Sequence, residues 1–186
     1  MPEITDVLRT DLHESLKDSQ IDPSKLGPFQ KILLITDGTL TNLLEAFLNE
    51  PIGVVKLSEK IVSITTDILP LEIKAGTEVL ERQILLCGKT SRRNWLYADS
   101  IIVLERVEEK FREKLIESHT PIGKLWVKHK TETFKEIVTY AREQAGNLAN
   151  YFDIEREDKL LSRTYRVFSN RQPVMTITEK FPENSF

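Results

Sequence analysis

Two charges in this sequence stand where a β-strand should be apolar. In an extended chain, residues i and i+2 share a face. Arg82 therefore falls among Leu80, Ile84 and Leu86, and Glu179 falls among Met175, Ile177 and Phe181. A buried charge without a partner is strongly unfavourable, so each needs one: either the other charge, or a polar ligand in a hollow that both residues face. A guanidinium grips a carboxylate through two parallel hydrogen bonds, which gives direction as well as charge. Each residue taken alone also has a simpler reading. Arg82 suits a rim position with its stem packed and its head in water. Glu179, seven residues before the last residue, suits an exposed chain end. The opposite parity of the first strand (Val79, Glu81, Gln83, Leu85 and Cys87) is mixed as well, so alternation alone leaves open which face is core.

Familiar catalytic motifs are missing. His13, His119 and His129 lack metal-ligand spacing, and there is no HExxH or CxxC. His119, before Thr120-Pro121, reads as a helix-end histidine. Gly88-Lys89-Thr90 has no upstream glycine of a phosphate loop and reads as a turn after a strand. No GxSxG elbow is present. Arg92-Arg93 reads as a solvated pair at a loop tip, and Trp95 and Trp126 as core or cavity wall, since no basic surround suits them to nucleic-acid stacking. The expectation is no metal, no cofactor and no covalent nucleophile; any reaction would rest on binding and electrostatics.

The bulk properties agree with a small-molecule protein. The 186 residues suit one domain, 1–186, with residues 1–27 as a peripheral N-terminal segment. There are 26 Lys and Arg against 29 Asp and Glu, a net charge of -3, so nothing draws the chain to nucleic acid or an anionic membrane. Its one cysteine, Cys87, cannot staple the fold. The start, Met1-Pro2-Glu3-Ile4-Thr5-Asp6, is wrong for a signal peptide, and no apolar run approaches the roughly 20 residues that span a bilayer. A cytoplasmic protein is expected.

Periodicity supplies the elements that would carry Arg82 and Glu179. Phe29, Ile32 and Leu33 predict a helix that Asp37-Gly38 breaks. Leu40, Leu43, Leu44, Phe47 and Leu48 predict a second. After Pro51 the pattern becomes strand-like through Val55, Leu57 and Ile61, with a turn at Ala75-Gly76-Thr77. Residues 79–88 and 95–104 predict a hairpin around the polar loop 88–94. A helix is expected over 105–118, then strands over 123–129, 134–140, 160–168 and 174–181, the last two joined through Ser169-Asn170-Arg171-Gln172-Pro173. Short connections between strands argue for an α+β fold: one antiparallel sheet of about six strands, with helices on one side.

The stretch Glu81-Arg82-Gln83-Ile84-Leu85-Leu86-Cys87-Gly88, a short polar loop, and Trp95-Leu96-Tyr97-Ala98 resemble the central hairpin of chorismate pyruvate-lyases. Thr120-Pro121-Ile122-Gly123 resembles the family's Thr-Pro-Leu-Gly turn. Gln172-Pro173-Val174-Met175-Thr176-Ile177-Thr178-Glu179, with Phe181-Pro182, resembles its final strand. The likeness spans roughly residues 29–182. It implies the chorismate lyase-like fold, with helical flaps over a buried cavity, and removal of the enolpyruvyl side chain of chorismate, giving 4-hydroxybenzoate and pyruvate. It further implies that Arg82 holds the ring carboxylate, that Glu179 bonds the oxygen at the other end of the ring, and that backbone amides of Ile122 and Leu40 donate to the ligand. One position departs: in the better-known bacterial branch an arginine follows the small residue after the hairpin tryptophan, and here that place is Asp99. Arg142 and Arg163 are then the candidates for the second carboxylate. The alternative is a non-catalytic aromatic-acid-binding domain, since the fold also resembles the effector domains of some bacterial regulators. Four Lys and Arg against nine Asp and Glu in residues 1–50 disfavour a DNA-binding module there. A third reading makes Arg82 and Glu179 an ordinary structural ion pair.

Overall fold

Alternating and β-branched residues over most of the chain pair into hairpins, and the two long apolar runs fold as helices above them. The computed structural model describes Leu16, residues 19–117 and residues 120–186; His119 lies outside them. Among the described residues, six antiparallel strands form one sheet: β1 (Ile52–Ser63), β2 (Glu78–Gly88), β3 (Asn94–Val103), β4 (Phe134–Gln144), β5 (Lys159–Ser169) and β6 (Gln172–Pro182). Their spatial order is β1-β2-β3-β6-β5-β4, so each half is built from local hairpins and β3 meets β6 in the middle. The tight β5–β6 turn puts Asn170 and Arg171 at φ 50° and 63°, the left-handed pair that matches strand twist in a two-residue hairpin.

Helices α1 (Pro28–Ile35), α2 (Leu40–Leu48), α3 (Glu109–Glu117) and α4 (Ile122–His129) cover one face of this sheet. Leu33, Leu34, Leu40, Leu44, Phe111, Leu115, Leu125 and Trp126 pack there against Leu80, Leu86, Leu96, Ile102, Val167, Met175 and Phe181. Leu16, Ile21 and Leu26, which precede α1, are buried in the same core. The four-residue helix α5 (Ala149–Phe152) lies on the other face, over Leu85, Tyr97 and Leu160.

Residues 123–129, expected as a strand, are instead the body of α4. The alternation Leu125, Val127, His129 suggested a strand, yet Ile122, Leu125 and Trp126 are the buried positions and Val127 is 69% exposed. That is the 3–4 spacing of a helix stripe. Pro121 caps the start, and Lys130 ends the helix in the left-handed region. The helix expected over 105–118 begins later, at Glu109, after a short 3₁₀ turn at Leu104–Arg106.

Candidate active site

Two register shifts decide which charges face the helices. In β1, Lys56 lies opposite Ile84 and Ser58 opposite Gln83, so Leu57 is an extra residue and Glu59 comes opposite Arg82. In β4, Ile137 lies opposite Tyr165 and Thr139 opposite Thr164, so Val138 is extra. Such bulges flip the alternation on one strand only. Glu59 on β1 and Lys135 on β4 thereby stand on the helix-covered face with Arg82, Glu179, Arg163 and Tyr165.

Arg82, Glu179, Leu40 and Ile122 line one hollow of about 50 Å³. Arg82, Ile84, Leu96, Ala98, Ser100, Ile177, Glu179 and Tyr165 form its floor. Thr39, Leu40 and Thr41 at the start of α2, and Pro121, Ile122 and Gly123 at the start of α4, form its roof. Both helices therefore turn their N-terminal ends, where amides lack intrahelical partners, toward the same space. The roof is closed by contact: a Cβ on Gly123 would collide with the Thr39 side chain. An apolar cavity of roughly 150 Å³ is what a benzene ring occupies, so an aromatic guest requires the roof to lift.

The two charges singled out from the sequence do not pair with each other. Arg82 is fully buried; its Nε donates to Glu59 Oε2 at 3.1 Å, and Lys56 Nζ lies 3.1 Å from Glu59 Oε1. Lys56 also donates to the Ile116 carbonyl of α3 at 2.9 Å. Arg82 Nη1 and Nη2 are buried and have no hydrogen-bond partner among the described residues. Burial pushes the guanidinium below its usual pKa, and Glu59 opposes that. A buried donor left unsatisfied costs about 1–3 kcal/mol, and more when charged, so two such donors on one guanidinium are a fork prepared for an anion.

Glu179 is held in a different way. Arg163 Nε donates to its Oε2 at 2.8 Å, and Tyr165 Oη donates to its Oε1 at 3.0 Å. Arg163 is itself buried, and its Nη1 donates to the carbonyls of Leu34 (3.3 Å) and Thr36 (2.6 Å) at the end of α1. It braces Glu179 against the helix layer and does not line the hollow. Burial raises the Tyr165 phenol well above its ordinary range, with the Glu179 charge adding to it, so the phenol is a fixed donor.

The position that departs from the better-known branch points away from this site. Asp99 shares the opposite face with Gln83, whose Nε2 donates to it at 3.4 Å. Arg142 is also elsewhere, in a two-pronged pair with Glu183 (both contacts 2.8 Å). The sequence reading missed Glu59 and Lys135, both hidden by bulges. Lys135 lines the hollow, donates to the Gly38 carbonyl at 2.9 Å and lies over the rings of Trp126 and Tyr165. Among the described residues there is no group of three or more His, Cys, Asp or Glu side chains placed to hold a metal ion. No helix there is long and apolar enough to cross a membrane.

The sequence model of the chorismate pyruvate-lyase Rv2949c-like family matches residues 34–185, a span that contains every side chain of the hollow. The chain belongs to that family. It is 32% identical over 164 residues to the chorismate pyruvate-lyase of Mycobacterium leprae, covering 87% of this chain and 78% of that one. To the chorismate pyruvate-lyase of Mycobacterium tuberculosis it is 28% identical over 176 residues, covering 92% and 87%. Among solved structures, the effector domain of PhnF from Mycobacterium smegmatis superposes with a TM-score of 0.63 at 11% identity, covering 82% of this chain and 93% of that one. The chorismate lyase-like fold is thus shared with that effector domain, and at that identity the likeness shows the fold alone.

Proposed function

We propose that this member of the chorismate pyruvate-lyase family eliminates pyruvate from chorismate to give 4-hydroxybenzoate, in the closed hollow between the sheet and the starts of α2 and α4. The observation that carries the proposal is the Arg82 fork, whose Nη1 and Nη2 are buried beside Leu40, Ile122 and Glu179 and have no partner among the described residues. The ring carboxylate takes both nitrogens, and the first-turn amides of Leu40 and Ile122 add donors along the ligand. Glu179, fixed by Arg163 and Tyr165, accepts from the ring hydroxyl at the other end.

The reaction breaks the ring C–O bond to the enolpyruvyl group and removes a proton from the neighbouring ring carbon, which makes the ring aromatic. The departing enolpyruvate takes up a proton at its methylene carbon and becomes pyruvate. No electron acceptor enters this balance, and aromatisation drives it. What the protein contributes is a dry, preorganised space: it holds the side chain in its reactive pose and sets positive charge near the departing oxygen.

The test is incubation of the purified protein with chorismate, without added metal or nucleotide, and assay of both products. Equal amounts of 4-hydroxybenzoate and pyruvate support the proposal. Tight 4-hydroxybenzoate binding without turnover makes the domain an aromatic-acid binder, and neither binding nor turnover leaves Arg82 and Glu179 as structural charges.

A further inference from the structure

We propose that Lys135 holds the second carboxylate of the substrate, the one on the enolpyruvyl side chain, and so makes the site selective for an aromatic-type dicarboxylate over a monocarboxylate. This rests on the reading of the hollow as a chorismate site and names the residue that reading still lacks.

Five observations lead to it. Lys135 lines the same hollow as Arg82 and Glu179 although it sits on β4, at the far edge of the sheet. An ammonium has three donors, and among the described residues one is engaged, by the Gly38 carbonyl. Every other cation bonded at the site already has a carboxylate: Lys56 and Arg82 share Glu59, and Arg163 has Glu179. Lys135 has no ion pair within 4.0 Å among the described residues. Aromatic rings flank it, with Nζ 5.2 Å from the Tyr165 centroid and 5.7 Å from that of Trp126.

The charges agree. Lys56, Arg82, Lys135 and Arg163 face Glu59 and Glu179, a surplus of two positive charges that a dicarboxylate dianion neutralises. Asp37 lies outside this set, in the wall of a second, outer hollow that Thr39, Gly123, Trp126 and Lys135 also line. The placement fits the ligand as well. The enolpyruvyl group branches from the ring carbon next to the one bearing the hydroxyl, so a guest whose hydroxyl meets Glu179 brings its second carboxylate to the Glu179 end. Glu179 is also the charge that most stabilises the Lys135 ammonium, against the burial that pushes its pKa down.

The experiment is titration calorimetry with two unreactive probes: 4-hydroxybenzoate, and a benzoate carrying a carboxyvinyl ether at its meta carbon. The wild-type protein is expected to prefer the dicarboxylate by about tenfold or more, the scale of one charge-assisted hydrogen bond. Lys135→Met should remove that preference while 4-hydroxybenzoate affinity moves by less than about threefold; the retained affinity also shows that the variant folds. Lys135→Arg should keep the preference. If Lys135→Met keeps it too, or if the wild-type protein binds 4-hydroxybenzoate with no preference, Lys135 is not the second anchor although the aromatic-acid site stands. If the wild-type protein binds neither probe, the site reading itself is wrong and the anchor falls with it.

Discussion

Glu59 and Arg82 meet across the β1–β2 pair with Oε2 3.1 Å from Nε, a contact that fixes a fully buried guanidinium and leaves both terminal nitrogens without a partner among the described residues. The side-on contact orients the fork and the remaining N–H groups bind the guest. Arg82→Ala should lower kcat/KM for chorismate by at least about a hundredfold, because a two-pronged charged contact is lost. Arg82→Lys should recover little of it, since an ammonium has no fork.

Glu59→Gln should act more mildly. The amide still accepts from Nε but no longer opposes the burial of the charge or pairs with Lys56. KM should rise by about three- to tenfold with kcat nearly unchanged, the pattern of an orienting partner. A drop in kcat alone would show that Glu59 does something other than orient Arg82.

Glu179 is held at both oxygens, so its supports can be removed singly. Glu179→Gln should impair kcat more than 4-hydroxybenzoate affinity. Tyr165→Phe removes one hydrogen bond to the Glu179 carboxylate, worth about 1.5–3 kcal/mol because its acceptor is charged, and should lower kcat by about ten- to a hundredfold. Steady-state kinetics beside the thermal midpoint of each variant separates these effects from loss of fold.

The roof seam yields a prediction with its own rescue. Gly123→Ala should favour the helix locally by about 0.8–1 kcal/mol, yet the new Cβ collides with Thr39 and holds α2 and α4 apart. Turnover should fall, and the thermal midpoint with it, since overpacking typically costs about 1–3 kcal/mol. Adding Thr39→Ala should restore turnover, because the clash is between those two side chains.

Affinity for the dicarboxylate probe should weaken at alkaline pH. Burial holds the Lys135 ammonium below the ordinary lysine range; Glu179 opposes, Arg163 adds to the depression, and Asp37 opposes. A bound carboxylate raises that pKa again, so the complex holds more proton than the free protein as pH climbs through the free value. Binding therefore weakens with rising pH in that window, below the usual lysine value of 10.5. Calorimetry across that range should show the decline in the wild-type protein, and Lys135→Arg should flatten it.

Arg82 and Glu179 were legible in the sequence because no bulge interrupts β2 between Leu80 and Leu86, or β6 between Met175 and Phe181, so simple parity holds. Glu59 and Lys135 were not, since Leu57 and Val138 each shift the alternation by one. Nothing in a single strand announces such a shift. A lysine one residue into an edge strand also reads as a solvated guard, and only the helices folding over it from elsewhere in the chain bury it. The helix at 122–129 was hidden for a related reason: in eight residues the strand and helix periods overlap, and only packing against Phe111 and the sheet selects between them. The resemblance led to Asp99 as the missing second anchor, whereas that position faces away from the site.

Determining the structure of the complex with 4-hydroxybenzoate tests the central claim most directly. The account predicts the carboxylate oxygens about 2.7–2.9 Å from Arg82 Nη1 and Nη2, the ring hydroxyl on Glu179, and the starts of α2 and α4 drawn back to admit the ring. A ligand bound outside the hollow, with Arg82 still joined only to Glu59, would contradict it.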